Sequence, residues 1–118
     1  MSDMSELEGT AAIVTGASRG IGLAIARGLM QAGSRVCITA RHAEGVDEAL
    51  EILKPYGEAI GVVGKVDSEE HQTEVIESTI RNFGRIDFVV NNATIGEQEK
   101  QTLRIDLYTL RDVRDGWR

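Results

Sequence analysis

Along the chain, short unbroken apolar runs alternate with longer stretches in which apolar residues recur every three or four positions. Runs of the first kind suit strands buried on both faces, and the second spacing suits helices with one face in a core. The first run, Thr10 to Thr15 (TAAIVT), ends in Gly16. From Gly20 to Ala32, the residues Ile21, Ile25, Leu29 and Ala32 recur at helical spacing, and Gly33 stands where a left-handed C-terminal cap belongs. Arg35 to Ala40 (RVCITA) predicts a second strand, and residues 43 to 54 a helix carrying Val46, Leu50 and Leu53 on one face, closed by Pro55 and Gly57. Glu58 to Val63 gives a third, weaker strand. The next helix carries Val75, Ile76, Thr79, Ile80 and Phe83 in one stripe, with Gly84 as its cap and Asp67 with Glu70 as a capping box at its start. Ile86 to Val90 is a fourth strand that breaks into Asn91 and Asn92. Residues 97 to 116 place Leu103, Leu107, Leu110 and Val113 among alternating charges, which predicts a surface helix with a thin apolar face.

Strands that alternate with helices imply parallel pairing, because each crossover returns over a face of the sheet, and right-handed crossovers leave few topologies. The expected fold class is α/β, a doubly wound parallel sheet of about four strands, with residues 1 to 118 forming a single domain. In such sheets ligands lie at the carboxyl ends of the strands, near the point where strand order reverses. The segments just after the four strands are therefore the ones to read for chemistry.

Composition narrows the partners. The 118 residues are 42% apolar, 27% charged and 4% aromatic, and 13 basic against 19 acidic side chains give a net charge of -6. A chain of this length buries enough surface for one core but not for two independent domains. The acidic balance, carried by residues 1 to 96 with a neutral tail beyond, opposes a general affinity for nucleic acid. No apolar run is long enough for a membrane span, and MSDMSELEG lacks the basic flank and apolar stretch of a secretory signal. The one cysteine, Cys37, sits in an apolar run and reads as a buried strand thiol. A cytoplasmic location is the simplest expectation.

Glycine, with 13 residues against one proline, is concentrated where the first strand meets the first helix, in TGASRGIG. Gly16, Gly20 and Gly22 allow positive φ and close approach of backbone to ligand, while the free amides and dipole of a helix start favour a phosphate. A tight turn with no ligand has the same spacing. A P-loop is excluded, since no Gly-Lys-Ser or Gly-Lys-Thr follows. After the second strand comes Arg41. An acidic residue there would bond an adenosine ribose and select NAD, whereas arginine pairs with a ribose 2′-phosphate and selects NADP. Arg19 in the glycine turn is placed to reach the same phosphate, the plain reading being two solvated loop arginines, and His42 reads as a solvated neighbour. Asp67, after the third strand, either accepts from an adenine amino group or caps the following helix. Asn91 and Asn92, after the fourth, tie strand ends together, line the nicotinamide ribose, or simply make a polar turn.

Together these segments resemble the short-chain dehydrogenase/reductase family. TGASRGIG is similar to its TGxxxGIG cofactor loop, Thr39 to Arg41 resembles its NADP-preferring members, Asp67 falls at its adenine-binding aspartate, and Asn91 to Ala93 matches its NNAG element, with Thr94 in place of the glycine. The resemblance covers residues 7 to 96 well and the tail loosely. It implies a Rossmann-type fold, hydride transfer between NADP(H) and an alcohol or ketone, and NADP(H) preferred over NAD(H). The implied cofactor residues are Gly16, Ser18, Arg19, Gly20, Ile21, Gly22, Arg41, Asp67, Asn91 and Ala93.

The family's catalytic serine and Tyr-x-x-x-Lys have no counterpart here. Tyr56 is followed four residues on by Ile60 and Tyr108 by Asp112, and the DVRDGWR ending holds no asparagine. The expectation is the cofactor-binding half of a reductase, cut short and without catalysis of its own. The alternatives are a nucleotide-binding partner of a full-length relative, or an unstable fragment. In either case the fourth strand is expected at the edge of the sheet, open to pairing with another chain.

Overall fold

The computed structural model describes residues 6–92 and the strand at 104–107. The strands are β1 (Ala11–Thr15), β2 (Arg35–Ala40), β3 (Ala59–Val63), β4 (Phe88–Asn91) and β5 (Arg104–Leu107). The helices are α1 (Gly20–Gln31), α2 (Ala43–Leu53) and α3 (Glu69–Phe83), with a 3-10 turn at Lys54–Tyr56. Among the described residues no helix is long and apolar enough to cross a membrane.

The sheet order is β3-β2-β1-β4-β5, with β1 to β4 parallel and β5 antiparallel to β4. The chain steps outward from β1 to β3, then returns through α3 to the far side of β1, so strand order reverses between β1 and β4. All five residues of β1 are buried, as befits a strand with helices on both faces. Side chains alternate between the two layers. Ala12 and Val14 pack with Val36, Ile38, Ala26, Met30, Val46 and Leu53 on the α1/α2 side, whereas Ala11 and Ile13 pack with Cys37, Val75, Ile76, Phe83 and Val89 on the α3 side. Burial pushes the Cys37 thiol up to about 11, the hydrogen bond with Thr79 opposing only in part, so it is an inert core group.

Three expectations are corrected. The helix over residues 97–116 is a strand at 104–107; the rest of that stretch lies outside the described residues. β4 is consequently not an edge, since Val89 faces Asp106 and Val90 faces Ile105 across an antiparallel ladder; the place where an edge had been expected to recruit another chain is already paired. Third, the capping box at Asp67 and Glu70 does not form. The N-cap of α3 is Ser68, whose hydroxyl accepts from the His71 amide at 3.2 Å, while Glu69 and Glu70 lie in the first turn where the helix dipole favours them. The far end is as expected, with Gly84 left-handed at φ 82°.

The stripe on α1 also differs by one residue. The buried positions are Gly22, Ala26 and Met30, while Ile21 is 51% exposed and Ile25 and Leu29 lie at the margins. Gly22 and Ala26 let the first turns of α1 approach β1 closely, Met30 fills the wider space at the far end, and Ile25 and Leu29 pack at the flanks. At the N-terminal end of the sheet, Asp87 accepts from the Ala11 amide at 2.9 Å and from Arg85 Nε and Nη2 at 2.8 and 2.7 Å. Burial raises the Asp87 carboxyl, but the Arg85 and Ala11 bonds and the nearby Arg35 charge outweigh it and hold the group below its usual range.

Candidate functional site

The ends of β1, β2 and β4 meet at the loop from Gly16 to Gly22, and the end of β3 lies beside that of β2. Gly16 turns the chain out of β1 at φ 62°, and the Ala17 amide donates to the Thr39 carbonyl at 3.1 Å, fastening the loop to β2. Arg19 is the N-cap of α1 in extended conformation, and no side chain caps the helix start. Gly20 follows at φ 63°, with no atom within 4 Å of the point where a Cβ would lie. Uncapped amides behind an open approach form a seat for an anion.

Gly22 has the opposite surroundings. A Cβ there would fall 2.2 Å from the Gly16 carbonyl oxygen and 2.6 Å from Asn92 Nδ2. The first turn of α1 is therefore pressed onto the loop and the end of β4. Asn92 completes this clasp, its Nδ2 donating to the Gly16 carbonyl at 3.1 Å and its amide to Thr15 Oγ1 at 2.9 Å. Asn92 is 1% exposed, and its Oδ1 has no hydrogen-bond partner among the described residues, leaving a buried acceptor beside the loop.

The other expected residues take distinct places. Ser18 is half-buried against α2, where a Cβ on Gly45 would lie 3.0 Å from its own. Arg19, Gly20 and Ile21 form the exposed outer side of the loop, and Arg41 is exposed just past β2. Neither guanidinium group is held in an ion pair or hydrogen bond among the described residues. Asp67 is exposed in the turn before α3 and is released from capping by Ser68. Asn91 is the half-buried last residue of β4, and Ala93 lies outside the described residues. Of the two asparagines, then, the clasp belongs to Asn92.

A second buried polar group went unnoticed in the sequence. His71, 6% exposed, reaches from the first turn of α3 to Thr39, with 3.2 Å between Nε2 and Oγ1. Its ring lies under Gly64, where a Cβ would come within 2.2 Å of Nδ1. The signal was available, since His71, Val75, Thr79 and Phe83 share one face at intervals of four, but a count of apolar residues passes over a histidine. Among the described residues no cluster of histidine, cysteine and acidic side chains could hold a metal ion.

Burial lowers the His71 pKa from its ordinary value, and the Glu74 charge one turn on opposes this only partly. The ring is thus neutral in the fold at pH 7, and the unfolded chain takes up its proton first as pH falls. This contribution to stability is intact above the ordinary imidazole value of about 6.5 and is lost progressively below it. The urea midpoint is expected to drop between pH 7.5 and 5.5, and to drop less in His71→Gln; equal drops in the two proteins would remove His71 as the cause.

Comparison with known proteins agrees with this geometry. The family model for short chain dehydrogenases matches residues 10–114. The chain is 42% identical over 93 residues to dehydrogenase/reductase SDR family member 4 of Caenorhabditis elegans, covering 77% of this chain and 36% of that protein. It is 45% identical over 87 residues to tropinone reductase-like 3 of Erythroxylum coca, covering 73% and 34%. Among solved structures it is similar to L-sorbose reductase from Gluconobacter frateurii complexed with NADPH and L-sorbose, with a TM-score of 0.74 and 37% identity over 84% of this chain and 38% of that one. The chain spans just over a third of the length of the relatives it matches. A glycine loop clasped to β4 at the reversal of a parallel sheet, and a match across nearly all its residues, make the chain a member of the short-chain dehydrogenase/reductase family.

Proposed function

We infer that the chain binds a nicotinamide dinucleotide at the ends of β1 to β4, NADP(H) in preference to NAD(H), as the cofactor-binding portion of an oxidoreductase. The observation that carries this reading is the uncapped start of α1, reached past the open face of Gly20 and flanked by the guanidinium groups of Arg19 and Arg41, which have no partner among the described residues. The amides after Arg19 would hold the pyrophosphate, with Gly16, Ser18, Gly20, Ile21 and Gly22 shaping the loop around it. Arg19 and Arg41 would share the 2′-phosphate, a dianion that two guanidinium groups bind better than one. Asp67, free of its capping duty, would accept from the adenine amino group. Asn91 with Ala93 would line the nicotinamide-ribose side.

When bound, the cofactor supplies the hydride that the family moves between dinucleotide and an alcohol or ketone. Reduction of a carbonyl also needs a proton donor for the developing alkoxide and a group to hold its oxygen. These 118 residues contain no tyrosine with a lysine four positions on. The chain is therefore expected to bind NADPH in calorimetry and yet to show no NADPH oxidation with a panel of ketones at high protein concentration. Clear turnover by the pure chain would overturn the non-catalytic half of this reading, and absence of any dinucleotide binding would overturn the whole.

A further inference from the structure

The buried His71 joins segments that the proposed cofactor site needs in register, and nothing in the clasp at Asn92 uses it. It sits at the third position of α3, with its amide on Ser68 and its ring extended to the hydroxyl of Thr39, which is itself 2% exposed. The Thr39 carbonyl takes the Ala17 amide of the glycine loop at 3.1 Å, and the Gly64 amide donates to the Ala40 carbonyl at 2.9 Å. Thr39 and Ala40 are thus held from the loop, from the end of β3 and from α3, and the next residue is Arg41. Gly64 permits this arrangement: the ring of His71 occupies the space of its missing side chain, so α3 approaches the sheet as closely as backbone allows.

We propose that His71 is a positioning residue which, by holding the Thr39 hydroxyl while Gly64 holds Ala40, fixes the direction in which Arg41 leaves the sheet and so sets the preference for the phosphorylated dinucleotide. The proposal rests on the cofactor reading above. Either tautomer of His71 can bond Thr39, because a hydroxyl both donates and accepts. What the ring supplies is reach, from a helix on one face of the sheet to the carboxyl end of β2. A side chain with a polar atom at the Nε2 position should therefore serve, and a shorter one should not.

The test is calorimetric titration of the full chain with NADPH and with NADH. His71→Phe fills the space of the ring without an Nε2, and Thr39→Val removes the hydroxyl at nearly constant volume. Each is expected to lower the ratio of NADPH to NADH affinity roughly fivefold, the scale of one neutral hydrogen bond. His71→Gln, whose amide extends about as far as Nε2, is expected to restore the ratio, and His71→Asn is not. A role in stability alone would weaken both ligands by a common factor and leave the ratio unmoved. Should His71→Phe fail to melt cooperatively by circular dichroism, Thr39→Val decides the matter. An unchanged ratio in a folded Thr39→Val overturns the proposal while leaving the cofactor reading intact. Equal affinities for the two dinucleotides in the unaltered chain would overturn the Arg41 assignment and the proposal with it, and no binding of either would overturn the cofactor reading too.

Discussion

Gly22→Ala is expected to destabilise the chain by about 2–4 kcal/mol and to abolish dinucleotide binding, the cost of forcing a methyl group into a site without room for it. The added carbon would meet the Gly16 carbonyl oxygen at 2.2 Å, and that oxygen is backbone held by Asn92, with no rotamer by which to escape. Relief requires α1 to lift from β1, which opens the loop. Gly28 is the internal control. It lies on the same helix with nothing within 4 Å of its would-be Cβ, so Gly28→Ala should stabilise by about 0.5–1 kcal/mol through helix propensity. Urea denaturation measures both, and a Gly22→Ala protein as stable as its parent would show that the loop and α1 are not pressed together.

The second large effect concerns charge. Arg41→Asp replaces an exposed cation just past β2 with a carboxylate, at the position where the family's NAD-preferring members need an acid for the ribose. Loss of a charge-assisted bond is worth about 1.5–3 kcal/mol, so NADPH affinity is expected to fall roughly 10- to 100-fold, with NADH affinity kept or improved. Because Arg41 is exposed and its side chain is held by no ion pair or hydrogen bond among the described residues, the melting temperature should hardly change. Competition between the two cofactors reads this directly. Parallel losses for both dinucleotides would place Arg41 outside the 2′-phosphate site.

Four strands and three helices are legible because each has its own apolar run or helical spacing, and all but β2 are followed closely by a glycine or an asparagine pair. Period locates an element well and its closest-packed line poorly. On α1 the large residues Ile21, Ile25 and Leu29 carry the visible pattern, yet the buried line is Gly22, Ala26 and Met30, because close approach of the first turns favours glycine and alanine there. A related ambiguity hid the cap of α3, where Asp67 and Ser68 are both capable and only the register of the backbone selects the serine. The glycine loop and its neighbours were legible as a set because topology brings strand ends together. The choice of Asn92 over Asn91 was not, since adjacent strand residues point to opposite faces and a single register shift exchanges them. His71 was invisible for a different reason: its partner hydroxyl lies 32 positions away, and nothing local marks a polar side chain as buried. Leu103, Leu107, Leu110 and Val113 are spaced in the sequence as on a helix, yet residues 104–107, which include Leu107, pair with β4 as the strand β5, and that pairing overrides the spacing.

The clasp of Asn92 on Thr15 joins positions 77 apart, and it has a consequence for the order of events in folding. Its two halves meet only after β4 has docked beside β1, so a nascent chain that has released β1, α1 and β2 already displays the glycine loop but has no finished receptor. Ligand capture and completion of the sheet then become one cooperative step. A dinucleotide present at a hundred times its dissociation constant would add about 2.7 kcal/mol to the stability of the whole sheet, acting as a late template for assembly.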